Sequence, residues 1–282
     1  MSAHVAPMRR PAGVPGRTLA MLTVLAVALA AAFVVAPRFL AGLGPGGGFA
    51  GRRDLGDALQ TSFTGYWSSG DRDLSPGLER VVDYWFRYHL AKAAIAALML
   101  IVLVALGVRV WKAFVKADGL GTGKNVALAS TGVLLTMLAL FSLVAVMANL
   151  QGVVAPYSSL LPMLTADATD AETTGTLDQI RRQLAGSPGP ALQLMIDDFA
   201  RYHVAMAVIA AIVAAALIAL SAVLWTRFAR TERSARRTRR VLGSFGAFSA
   251  LLSIAGIVVA VANTATATDP APALLAFFQN GW

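Results

Sequence analysis

Hydrophobic residues in this chain gather in long unbroken blocks rather than recurring every second or every third to fourth position. Five blocks, 18–36, 90–108, 126–148, 204–226 and 241–262, are built mainly from Ala, Leu and Val and hold at most one charge each. About 20 apolar residues in a helix cross the roughly 30 Å hydrocarbon core of a bilayer. The pattern therefore predicts five transmembrane helices. Between them, 54–63 and 176–184 predict short helices. The stretch 42–51, rich in glycine and containing Pro45, predicts a flexible connection. No separate soluble domain is expected.

The first block has two readings. Arg9, Arg10 and Arg17 precede it as they would a signal peptide. Its length, and the echo of Val34-Val35-Ala36-Pro37 in Val153-Val154-Ala155-Pro156, favour a retained helix.

The chain repeats itself at a shift of 114 residues. Asp83, Arg87, Tyr88 and His89 correspond to Asp197, Arg201, Tyr202 and His203. Trp111 and Phe114 correspond to Trp225 and Phe228, Gly132 to Gly246, Asn149 to Asn263, and Pro156 to Pro270. Shared Ala and Leu could come from composition; aligned Arg-Tyr-His, Trp, Asn and Pro could not. The fold expected is an all-α membrane protein with two parallel tandem-repeat helical hairpins, an N-terminal transmembrane helix and short extracytoplasmic helices. Its parts are a tail 1–17, a first span 18–36, a loop 37–75, a repeat unit 76–161, a loop 162–189, a second unit 190–275 and a tail 276–282. Pro76 and Pro190 suit the first turn of a helix, so 76–88 and 190–202 should run as helix straight into their spans.

Charge adds sidedness. Of the residues, 57% are hydrophobic and 14% charged, with a net charge of +9. The basic residues cluster before the first span, between the second and third (Arg109, Lys112, Lys116, Lys124), and between the fourth and fifth (Arg227 through Arg240). Five spans put these clusters on one side, which the positive-inside rule makes cytoplasmic, with the C-terminus outside. The Ala-, Arg- and Gly-rich composition points to a bacterial plasma membrane. Arg233, Arg236, Arg237, Arg239 and Arg240 are candidates for anionic lipid headgroups. No aromatic platform accompanies them, which argues against nucleic acid.

Cys is absent, and His occurs only at positions 4, 89 and 203, so thiolate chemistry is excluded and a His-built metal site is not expected. Away from their ends the spans carry no Asp, Glu, His or Arg, which argues against a proton relay. Asp83–Arg87 and Asp197–Arg201, each spaced i,i+4, should form helix-surface ion pairs. Tyr88 and Tyr202 sit where interfacial aromatics belong. His89, Ala93, Ala96, Leu100, Leu103 and Gly107 form one helical stripe, and His203, Ala207, Ala210, Ala214, Leu217 and Ser221 its counterpart. Small residues in such a row let helices approach closely. Each histidine should meet the asparagine at the same depth, His89 with Asn149 and His203 with Asn263, in polar clusters joined by the nearby arginines and tyrosines. Lys92 should snorkel outward. The segment 119–125 resembles a phosphate loop only faintly and reads as a turn.

The reading taken is a non-enzymatic polytopic membrane protein, an accessory, assembly or interaction subunit with a membrane-protein partner or a second copy of itself. The alternative is a ligand- or lipid-binding or transport protein with a site at the outer interface around the His–Asn clusters. A third is a haem b protein with His89 and His203 as axial ligands.

Overall fold

The computed structural model describes residues 16–117, 121–166 and 171–280, the side chain of Asn280 excepted. The basic pair Arg9 and Arg10, His4, residues 118–120 and the chain's end at Trp282 lie outside the described residues. Every regular element among the described residues is a helix: α1 (Gly16–Gly42), α2 (Arg52–Ser69), α3 (Pro76–Lys116), α4 (Thr122–Val154), α5 (Pro156–Ala166), α6 (Ala171–Leu184), α7 (Pro190–Arg230), α8 (Arg236–Thr268) and α9 (Pro270–Asn280). Five of them, α1, α3, α4, α7 and α8, are long and apolar enough to cross a membrane. The chain is a multi-pass membrane protein.

Segments 76–88 and 190–202 run straight into their spans. Pro76 and Pro190 open α3 and α7, and the Ser75 side chain accepts from the Leu78 amide as an N-cap. Both α3 and α7 contain 41 residues, both α4 and α8 contain 33, and both α5 and α9 contain 11. All six boundaries of α7, α8 and α9 follow those of α3, α4 and α5 by 114 residues. The break between α4 and α5 has a local cause. A residue before proline is pushed out of the helical region. Ala155, before Pro156, has φ −136 and ψ 71, and Asp269, before Pro270, has φ −138 and ψ 77.

In the membrane part, α3 packs along α4, α7 along α8, and α1 along α3. The contact between the two pairs runs mainly from α4 to α7. Packing within each pair rests on small residues and on tryptophan over glycine. A Cβ on Gly132 would come within 2.8 Å of the Trp111 ring, and one on Gly246 within 3.1 Å of Trp225. Glycine is what allows each ring to lie flat on the neighbouring helix.

Outside the spans the helices expected at 54–63 and 176–184 are longer and joined by others: α2, α5, α6, α9 and the starts of α3 and α7 assemble on one apolar core. Leu59, Phe63, Tyr66, Leu78, Leu160, Leu164, Ile180, Leu192, Met195 and Leu274 are all under 2% exposed there. This helical cap is built like a soluble domain. Trp67 donates to Gln179 at 2.9 Å across α2 and α6, and Arg181 donates to the Phe278 carbonyl at 2.8 Å, tying α6 to α9. Gly70, at φ 70, ends α2 in the left-handed conformation that glycine adopts without strain.

Candidate functional site

The two histidines meet their asparagines. His89 Nδ1 lies 2.9 Å from Asn149 Oδ1, and His203 Nδ1 lies 2.8 Å from Asn263 Oδ1. One turn back, Asn149 Nδ2 donates to the Ala145 carbonyl at 2.7 Å, and Asn263 Nδ2 donates to the Val259 carbonyl at 2.9 Å. These bonds turn each Oδ1 toward its imidazole, so the ring nitrogen facing it is the donor. Each Nε2 is then left as an acceptor, buried and without a partner. Both imidazoles are half-buried. A Cβ on Gly152 would come within 2.7 Å of the His89 ring, and Trp85 stands edge-on at 4.8 Å. Phe199 covers His203 at 4.6 Å. Neither imidazole lines any of the three cavities described below. The pairs instead pin α3 to α4 and α7 to α8.

The expected clusters are narrower than the sequence implied. Tyr88 and Tyr202 do adjoin their histidines, at 5.8 Å and 5.6 Å between ring centroids. The arginines turn away. Arg87 Nε donates to the Ala41 carbonyl at 3.0 Å, clasping the end of α1, and its contact with Asp83 is a loose 3.9 Å. The Asp197–Arg201 pair is replaced. Asp197 takes Arg72 at 3.1 Å, from the α2–α3 connection, and Arg201 takes Asp198 at 3.2 Å. The cause lies at the start of α5, where Asp198 accepts both the amide and the hydroxyl of Ser158 at 2.8 Å. A carboxylate suits the open amides of a helix N-terminus, and Arg201 follows it. Burial raises the Asp198 carboxyl above its usual range, and the Ser158 bonds and Arg201 pull it partly back. Nearby, burial pushes the Tyr66 hydroxyl up to about 12, with Asp73 and Asp71 adding to it.

Lys92 Nζ sits 4.6 Å from the Phe33 ring of α1 and 5.3 Å from the Tyr88 ring, one turn toward the cap. At the opposite, basic end of the bundle, two of the five candidate headgroup arginines serve the fold. Arg237 donates to the Phe114 carbonyl at 3.0 Å at the end of α3. Arg239 donates to the Phe228 and Thr231 carbonyls at 2.9 and 2.8 Å at the end of α7. Each guanidinium also lies over a phenylalanine ring, Arg237 over Phe114 at 4.9 Å and Arg239 over Phe228 at 4.0 Å. Arg233, Arg236 and Arg240 are exposed. The segment read as a turn is helical from Thr122, so Gly123, Lys124 and Asn125 form the first turn of α4.

An apolar cleft that the sequence did not single out is also present. It opens between the two helix pairs in the basic half of the bundle, with a volume of about 550 Å³. Leu100, Leu103, Val104 and Gly107 of α3, Leu135, Ala139 and Leu143 of α4, Leu217 and Leu220 of α7, and Phe245, Phe248 and Leu252 of α8 line it. Lys112 and Lys116 stand at its basic end. Val104, Val108, Leu220 and Phe248 are 36–47% exposed, so the cleft is open to its surroundings. One signal was present: Leu100, Leu103, Gly107 and Leu217 belong to the stripes read as packing seams. Toward the cap those stripes close on alanines; toward the basic end they open. Two polar cavities lie in the cap. One, of about 480 Å³, is lined by Arg72, Asp73, Glu79, Tyr157, Asp198 and Arg201; the other, of about 690 Å³, by Asp57, Gln60, Thr64 and Glu172 among others.

Comparison of the chain with protein-family models, with curated proteins and with solved structures finds no match to any of them.

Proposed function

We propose that this chain is a non-enzymatic, lipid-binding membrane protein, in which two tandem-repeat hairpins, α3–α4 and α7–α8, hold an acyl chain between them. The observation that carries this reading is the apolar cleft. A volume of about 550 Å³ falls within the roughly 300–1,000 Å³ of small-molecule sites. Along α3 it extends from Leu100 to Lys116, about 24 Å at the helical rise, a length that suits a lipid tail. An apolar cleft of this kind does not hold ordered water, and in a bilayer the available apolar material is lipid.

In the same reading the repeats are related by a rotation about the membrane normal. The protein sits in a bacterial plasma membrane with its basic end in the cytoplasm and its cap outside. Reporter fusions after Lys116 and after Arg233 then read cytoplasmic, and one after Gly186 reads external; a cytoplasmic signal at Gly186 overturns this orientation.

The binding test fills the cleft. Ala139→Trp and Leu220→Trp place an indole in it from each hairpin. Wild type purified in mild detergent should carry phospholipid detectable by native mass spectrometry, and the double variant should carry none. Equal lipid in both, with matching thermal stability, overturns the reading.

A further inference from the structure

We infer that the occupant of the cleft is an anionic phospholipid from the leaflet at the basic end, with its phosphate held by Lys112 and Lys116. The inference rests on the acyl-binding reading above and adds the headgroup that selects the lipid.

Lys112 and Lys116 are spaced i,i+4 on α3, so their side chains leave the same face of the helix. Both line the cleft where its apolar wall ends. Both are exposed, and neither is among the ion pairs of the described residues. Among the described residues at this end, Glu232 is the sole carboxylate, and it accepts from Ser234. Arg237 and Arg239 are bound to the carbonyl ends of α3 and α7 and are committed to capping there.

A lipid lying with its tail against Leu103, Leu143 and Leu217 would bring its phosphate to the lysine ammonium groups. Lysine recognises phosphate as a point charge, without the planar fork of arginine, so it selects for negative charge and tolerates different headgroup shapes. A zwitterionic lipid offers the same tail and phosphate, but its amine repels the lysines. The expected preference is about fivefold for each lysine.

The test uses the full chain in nanodiscs with equal amounts of phosphatidylglycerol and phosphatidylcholine bearing identical acyl chains. The protein is transferred to detergent and its retained lipids are counted by native mass spectrometry. Wild type should retain phosphatidylglycerol over phosphatidylcholine by an order of magnitude or more. Lys112→Gln/Lys116→Gln should retain as much lipid in total with the preference largely lost, and Lys112→Arg/Lys116→Arg should restore it. High salt should weaken the preference of the wild type, which tests the electrostatics without any substitution. Retention of both lipids without preference overturns the headgroup assignment and leaves the cleft reading standing. A preference that survives both the glutamine variant and high salt overturns the role of the lysines. Retention of neither lipid by wild type overturns the cleft reading itself, and this inference with it.

Discussion

The cap and the spans bury different kinds of residue. All twelve of the largest fully buried side chains, from Tyr66 and Phe63 to Val81 and Thr173, lie in the cap. In the spans most buried positions outside α3 are small or polar, such as Gly132, Ala210, Ala214, Ser221, Gly246, Ser249 and Ser253, and α3 adds Met99, Val102, Leu103, Leu106 and Val110 to Ala93, Ala96 and Gly107, while Ile101, Ile212, Leu251 and Val258 stay exposed. Solvent explains the contrast. The cap is held by removing large apolar surface from water. Lipid tails are as apolar as leucine, so the spans gain nothing from hiding it and are held by close contact and hydrogen bonds. In the basic half of the bundle the two helix pairs part around the cleft and are rejoined by Trp111 against Phe245 and by Arg237 on the Phe114 carbonyl.

The largest expected effect tests the cap side of this contrast. Phe63→Ala should cost about 3–5 kcal/mol, the usual cost of emptying a packed aromatic site, and limited proteolysis should then cut α2 while the spans stay protected. Ile101→Ala, on the exposed face of α3, should leave thermal stability in detergent unchanged. Equal losses from the two would remove the distinction between regions.

Next comes the tryptophan-on-glycine contact, which should punish added bulk rather than lost bulk. Gly132→Ala should cost about 1–3 kcal/mol, as overpacking does. Gly246→Ala should cost less, because its Cβ would stand 3.1 Å from Trp225 rather than 2.8 Å from Trp111. Thermal aggregation curves rank the two, and the reverse order would mean that the contacts are not what holds the pairs together.

The His–Asn pairs come third. Hydrogen bonds between membrane helices contribute about 0.6 kcal/mol on average, so His89→Ala and His203→Ala should each lower stability by roughly 1 kcal/mol and leave lipid retention unchanged. Loss of bound lipid in either variant would return these residues to the binding site.

The smallest effect is one of pH, in the cap. The Asp198 carboxyl is raised in the folded state, so the fold binds its proton more tightly than the unfolded chain does. Its contribution is fully present below the unfolded value and is lost as pH rises through the folded one. Asp198→Asn should flatten cap stability across that acidic window. An unchanged pH profile would mean that the Ser158 bonds and Arg201 cancel the effect of burial.

Much of the bundle was legible beforehand. The number of long apolar helices follows from the number of apolar blocks, because a bilayer rewards long apolar helices whatever their partners. The 114-residue register followed from Arg-Tyr-His, Trp, Asn and Pro, and the helix boundaries repeat at that interval because Pro76, Pro156, Pro190 and Pro270 act on adjacent backbone alone. The two His–Asn pairs were legible because each joins neighbouring helices at one depth.

Other features depended on distances that a linear reading does not contain. Asp197 looks like the partner of Arg201 until Arg72, 125 residues earlier, takes it and the start of α5 claims Asp198. The cap core draws on α2, α5, α6, α9 and the first turns of α3 and α7, none of which shows a long apolar block. The cleft exists because α4 packs on α7 while α3 and α8 meet chiefly toward the basic end, through Trp111–Phe245 and Arg237–Phe114. Local sequence sets which residues suit lipid, water or a helix end. Only the folded chain decides which distant groups compete for one partner and where packing leaves a gap.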